Sequence, residues 1–226
     1  MKQDKTRVIS AKDLGKLDMP DFCPRCFWLE RHLGNSPSIF PGIFSTIDAL
    51  TKRNVHSCFL KDKTFPSWLS VPGAVEVEDG DICFKLPIKD KGWILVGKPD
   101  DIFKLEDGTY HIVDYKTAKY TGRQDELFPM YNVQLNAYAY LAKEYGLDPV
   151  SKLSLIYCQP NEELDSYDNF KLSFSTYELN VPLETERVLQ LLTKAREIID
   201  SPIPEPREGC KGICNWVEKA FLKIKS

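Results

Sequence analysis

No apolar run in the 226 residues approaches the roughly 20 needed to span a bilayer. The start, MKQDKTRVIS, lacks the apolar core of a secretory signal, so a cytoplasmic protein with no membrane partner is expected. A basic excess is missing as well: 30 lysines and arginines face 33 acids, a formal net charge of -3. A protein that coats nucleic acid with a broad face is normally strongly basic, so a coat or architectural role is disfavoured. An enzyme that engages phosphates in one local cleft is not. Internal repeats, low-complexity tracts and helix-turn-helix or zinc-finger patterns are also absent, so sequence-specific recognition is not expected.

What is present is ordinary for a globular protein: 42% apolar and 28% charged residues, enough for one good-sized core. Seven cysteines without an export signal argue for thiols or metal ligands rather than disulfides. Cys23 and Cys26 lie in FCPRCFWLERHL and Cys210 and Cys214 in REGCKGICNWVE, two close pairs that suit a tetrathiolate site. Thiolate softness limits such a site to Zn2+ or an iron-sulfur cluster, and spacing alone does not choose between them. Cys58, Cys83 and Cys158 sit in apolar contexts and read as small core residues.

Along the chain, residues 10–33 read as helical pieces broken by Pro20 and Pro24. A helix over 45–60 places Ile47, Leu50, Val55, Phe59 and Leu60 on roughly one face, with Ser45 or Thr46 as its cap. Residues 61–80 read as a connecting loop around Trp68, and DKTFPSWLSVPG within it could serve as a lid. Strands are expected at 81–88, 92–105 and 109–117 as a three-strand meander, then at 152–160 and 170–179. Between these groups FPMYNVQLNAYAYLAKEYGLD reads as a helix, with Pro129 in its first turn and Gly146 at its stop. A last helix from Leu183 to about Ile199 precedes the stiff SPIPEPREG linker. The pattern predicts an α/β fold, a mixed sheet covered by helices.

The hairpin KPDDIFKLEDGTYHIVDYKT carries the chemistry. Side chains alternate along a strand, so Asp114 and Lys116 share a face, opposite Tyr115. A two-residue Asp107-Gly108 loop pairs Asp101 with Asp114, whereas a three-residue loop pairs Asp100 with Asp114. Either register brings two carboxylates together. They repel unless a cation sits between them, and oxygen ligands of this kind favour Mg2+ or Mn2+. Such a site suits phosphodiester hydrolysis, with Lys116 orienting water or stabilising charge in the transition state.

At these residues the sequence resembles the PD-(D/E)XK nuclease superfamily, specifically its RecB-like branch. GKPDD (97–101) looks like the family's G-x-x-D strand, VDYKT (113–117) its D-x-K strand and QLNAY (134–138) its Q-x-x-x-Y helix. The resemblance implies a restriction-endonuclease-like core. It implies Asp100 and Asp114 as metal ligands, with Asp101 as second choice to Asp100, and Lys116 as the catalytic lysine. The backbone carbonyl of Tyr115 joins the ligands, and Gln134 and Tyr138 line the site. It also implies a deoxyribonuclease acting on single-stranded or end-bearing DNA, an exonuclease sooner than an endonuclease. Where many relatives carry a G-x-x-x-H histidine ligand, GIFSTID has Thr46, and Asp48 is the candidate third ligand. His56 reads as an ordinary histidine.

AddB-type and CRISPR-adaptation relatives hold a [4Fe-4S] cluster with one cysteine before the core and three after it. The resemblance therefore implies a [4Fe-4S] cluster on Cys23, Cys26, Cys210 and Cys214, with Zn2+ as the alternative, although here the split is two and two. It implies one nuclease domain over 1–226, with 40–200 as the core and 1–35 and 205–226 as a cysteine clasp. DNA is the expected partner, and a repair, recombination or CRISPR-adaptation complex a further one. Lys52, Arg53, Lys119 and Arg123 are candidate phosphate contacts, with Tyr120, Tyr131 and Tyr138 as stacking partners for bases.

Overall fold

A computed structural model of the chain describes residues 7–34, 41–78, 82–120, 126–162 and 171–218. Arg123 lies outside the described residues. The mixed α/β expectation holds, but the strands divide between two sheets. Strands β1 (Arg7–Ser10), β3 (Phe84–Ile88) and β4 (Trp93–Gly97) form a three-stranded sheet in the order β1-β4-β3. Strands β2 (Ala74–Val77), β5 (Asp101–Leu105), β6 (Tyr110–Lys116), β7 (Val150–Pro160) and β8 (Phe174–Val181) form a five-stranded sheet in that order. The β6–β7 and β1–β4 pairs are parallel and the others antiparallel. Among the described residues no helix is long and apolar enough to cross a membrane.

The meander is therefore corrected. Residues 92–105 are not one strand: β4 and β5 belong to different sheets, and the break falls at Lys98-Pro99-Asp100. Pro99 has no N–H to give a ladder, which makes it a natural place for the chain to leave one sheet and enter another. The expected 61–80 loop contains the edge strand β2, and its residues Leu69 and Val71 are buried. Phe65 stacks edge-on against Phe103 at 5.3 Å, and Trp68 against Tyr115 at 6.2 Å. This segment is anchored to the sheet by these contacts.

The helices are α1 (Ala11–Gly15), α2 (Pro24–Leu33), α3 (Gly42–Asp62), α4 (Phe128–Glu144) and α5 (Glu186–Asp200). Helix α4 is buried on nearly every side, as its apolar composition requires, and contacts strands of both sheets as well as α1 and α5. Gly97 permits the approach of β4: a Cβ there would stand 2.6 Å from Leu141 and 2.9 Å from Tyr138. The helix stops as expected, with Leu147 N–H donating to Ala142 O and Gly146 N–H to Lys143 O.

Helix α3 differs from expectation at its start and on its face. It begins at Gly42 after Pro41, so Ser45 and Thr46 lie inside it, and the Thr46 hydroxyl bonds back to Gly42 O at 3.2 Å. Val55 and Phe59 are fully buried, while Leu50 and Leu60 are more than half exposed. The C-terminal half of α3 packs tightly on apolar residues. In its N-terminal half Ile47 and Leu50 line a cavity with Trp68, Cys158 and Phe174, and Asp48 and Lys52 meet the polar groups described next.

Candidate active site

The turn between β5 and β6 decides which aspartate meets Asp114. Leu105 N–H donates to Thr109 O at 2.8 Å, and Gly108, at φ +81°, closes a loop over residues 106–108. Asp101 pairs with Val113 and Lys104 with Tyr110, which is the three-residue register. Residues opposite one another share a face, so Asp101 looks the same way as Val113 and Tyr115. Asp100, one residue earlier, falls on the side of Asp114.

The two neighbouring acids accordingly have different company. Asp101 is buried and accepts from the Tyr115 hydroxyl at 2.6 Å, with His56 Nε2 against its other oxygen. Both its oxygens are committed, which makes it a structural anchor tying α3 to the sheet. His56 is thereby more than an ordinary histidine, a role with no local signal because its partner lies 45 residues away. Asp100 accepts from Tyr115 N–H at 2.8 Å and from the Lys52 ammonium at 2.6 Å. Burial and the Asp114 charge push its pKa up to about 7, against the pull of Lys52.

Asp114 is almost fully buried, and its Oδ2 accepts no hydrogen bond, although the Lys116 ammonium lies against it as an ion pair. Burial opposes the charge on Lys116, but Asp114 outweighs it and holds the ammonium pKa above its ordinary value. Lys116 Nζ also donates to Gln134 Oε1 at 3.4 Å and stands 4.6 Å from the Tyr131 ring centre. Gln134 Nε2 in turn donates to the Tyr138 hydroxyl at 2.6 Å. The helix motif thus reaches the strand motif through Lys116. Burial and then Asp114 hold the Tyr138 hydroxyl pKa well above the usual phenol range, so it serves as a neutral group.

Asp48 on α3 is tied to Lys52 at 2.8 Å, and Lys52 bridges it to Asp100. A cavity of 360 Å³ lined by Phe44, Asp48, Tyr115, Lys116 and Tyr131 opens beside these groups. The structure brings Asp48, Asp100, Asp114, Lys116, Gln134 and Tyr138 together, with Lys52 as an addition that sequence reading placed only as a phosphate contact. Two largely buried carboxylates facing one another, those of Asp100 and Asp114, fit a hard divalent cation, so Mg2+ or Mn2+ is compatible with these residues.

The cysteines form a second centre at the chain ends. Ligand atoms of Cys23, Cys26, Cys210 and Cys214 all lie within 4.8 Å of one another. Around them Arg25 donates to Pro204 O at 2.7 Å, and Trp28 Nε1 to Ser201 O at 3.1 Å, fastening α2 to the C-terminal linker. Of the other cysteines Cys158 is buried as expected, but Cys83 is exposed because it precedes β3 rather than lying in it.

The fold and the strand–strand–helix site define a nuclease-type α/β protein. The family model described as "PD-(D/E)XK nuclease superfamily" matches residues 49–218, and the chain belongs to that superfamily. A solved structure described as "Crystal structure of SSO0001" is 16% identical, with a TM-score of 0.47 over 87% of this chain and 79% of that one. A phage-related exonuclease from Haemophilus somnus 129PT is 12% identical, with a TM-score of 0.44 over 78% of this chain and 79% of that one. No curated protein matches the chain.

Proposed function

We propose that this protein hydrolyses phosphodiester bonds in DNA, preferring single-stranded or end-bearing substrates, as a RecB-like exonuclease. The observation that carries the reading is the Asp114 carboxylate. It is buried, faces Asp100, and has the Lys116 ammonium paired with its Oδ2. Asp100, Asp114 and the Tyr115 carbonyl would hold Mg2+ or Mn2+, with Asp48 as a further ligand once Lys52 leaves it. The metal, when bound, supplies charge neutralisation at the phosphate and acidifies a bound water. Lys116 holds its proton and steadies negative charge on the phosphate oxygens. Gln134, locked by Tyr138, fixes the position of Lys116. Of the tyrosines expected to stack on bases, Tyr131 and Tyr138 are buried, and Tyr131 lies under Lys116. The partly exposed Tyr120 stacks on Tyr177 at 4.7 Å, which leaves Tyr120 alone of the three as a ring near the cleft for a base.

End-labelled single- and double-stranded DNA incubated with Mg2+ or Mn2+ tests this directly. Shortened products that vanish in Lys116→Ala and Asp114→Asn are expected, and products that persist in both would remove the proposed chemistry. A second reading, a nucleic-acid-binding protein of weak or no catalysis inside a repair, recombination or CRISPR-adaptation complex, is favoured by one observation. Thr46 is bonded to its own helix, so α3 presents no histidine where many relatives place a ligand. That reading predicts DNA retention without metal-dependent product.

A further inference from the structure

The four sulfurs of the terminal clasp are too close together for the cluster that the family resemblance implies. Cys26 and Cys214 are 3.3 Å apart, Cys210 and Cys214 3.4 Å, Cys26 and Cys210 3.5 Å, and Cys23 and Cys214 3.8 Å. The remaining pairs fall within 4.8 Å. Thiolates bound at ~2.3 Å around one tetrahedral ion have sulfur–sulfur edges of ~3.8 Å. In a four-iron cube each thiolate holds a different iron, so any two are kept apart by two metal–sulfur bonds and an iron–iron edge. The observed spacing matches the single-ion tetrahedron and leaves no room for a cube between the sulfurs.

We infer that Cys23, Cys26, Cys210 and Cys214 form a mononuclear tetrathiolate centre for Zn2+, not an iron-sulfur site. Zinc with four thiolates carries an excess of two negative charges, and the surroundings answer it. Arg207 N–H donates to Cys23 Sγ at 3.4 Å and Gly212 N–H to Cys210 Sγ at 3.3 Å. Arg207 and Lys211 line the 740 Å³ cavity beside the cluster, together with Asp21 and the paired Lys16 and Glu30. Position 212 is confined: a Cβ on Gly212 would stand 2.7 Å from Cys26 Sγ and 3.4 Å from Cys210 Sγ. The backbone wraps the sulfurs closely, as it does around a single ion. This inference is independent of the nuclease reading, because the centre shares no residue with the acidic site.

Metal analysis of the full-length protein, purified without oxygen, decides it. About one zinc per chain in a colourless preparation is expected, with Co2+ in its place giving the intense visible bands of tetrahedral cobalt thiolate. Cys26→Ser and Cys210→Ser should each lower the bound zinc. Iron with acid-labile sulfide, mononuclear iron, or wild-type protein that carries and takes up no metal would each overturn the assignment. Because the first readout is metal content of the wild-type chain, a variant that fails to fold leaves the test intact.

Discussion

The acidic site at the β5–β6 hairpin and the sulfur site at the chain ends are built on opposite plans. In the first, like charges are crowded: Asp100 and Asp114 face one another, and the Asp100 pKa rises to about 7 because burial and Asp114 disfavour its charge. In the second, each ligand stands against the other ligands and the backbone closes over them. A site proposed to bind and release a cation with its substrate would retain electrostatic strain. A site that only joins distant segments removes it. Crowded carboxylates distinguish the acidic site more sharply than cavity size does, since the larger cavity lies at the clasp.

The comparison breaks most cleanly with Asp100→Asn against Cys214→Ala. Asp100→Asn is expected to lower turnover on the order of 10³-fold, the scale of losing one centre of charge stabilisation. It removes a buried carboxylate that Asp114 repels, so thermal unfolding should occur at the same temperature or higher. Near-normal cleavage by this variant would end the assignment of Asp100 as a ligand.

Cys214→Ala should do the reverse. Cys23 and Cys214 are 191 residues apart, so the clasp closes almost the whole chain. By analogy with a crosslink over so long a loop, opening it is expected to cost about 3–4 kcal/mol, while the folded fraction keeps its turnover. Urea unfolding with and without a thiol-competitive chelator reads the first effect. A variant as stable as the wild type would show that packing, not metal, holds the ends together.

A smaller effect sharpens the contrast from inside the five-stranded sheet. His111 is buried on β6 and hydrogen-bonded to Ser154 on β7 at 2.8 Å, with Lys152 of β7 and Glu178 of β8 as its charged neighbours. Burial, then Lys152, lowers its pKa to about 4, with Glu178 pulling the other way. The folded state thus binds this proton less readily than the unfolded chain, whose histidine titrates near 6.5. Stability from neutral His111 is complete above about pH 6.5 and is lost as pH falls toward 4, by about 3 kcal/mol. His111→Gln should flatten that acid limb in unfolding titrations from pH 7 to 4. An unchanged limb would assign it to the carboxylates instead.

The hairpin was legible because its ligands are local: Asp100, Asp114 and Lys116 lie within one turn and two strands, and only the loop length separated the two registers. The structure takes the longer loop. Helix α4 was equally readable, since its Pro129 start and Gly146 end are local signals. What sequence could not show were pairings set by tertiary contact. The parallel β1–β4 pair joins residues more than 80 apart, so β4 leaves the hairpin's sheet with no cue beyond Pro99. The His56–Asp101 and Lys52–Asp100 pairs likewise depend on where α3 lands, and its amphipathic pattern misled because its N-terminal half leaves a cavity between Leu50 and the apolar residues below it.

Lys52 gives the smallest predicted effect and the most specific. Its ammonium lies 2.6 Å from Asp100 and 2.8 Å from Asp48, holding by ion pairs two carboxylates proposed to serve a divalent cation. The Lys52 ammonium and a divalent cation would compete for the same two carboxylates and repel one another, so Lys52 should give way as the metal enters. Lys52→Met keeps the length of the stem and removes the competitor. Half-buried ion pairs of this kind contribute about 1 kcal/mol, so Mn2+ should bind roughly fivefold to tenfold more tightly to the variant in a calorimetric titration. If Lys52 instead contacts the DNA phosphate during turnover, cleavage will weaken even as metal affinity rises, and its dependence on salt will become shallower. Unchanged or weaker Mn2+ binding would show that the lysine pairs with Asp100 without guarding it.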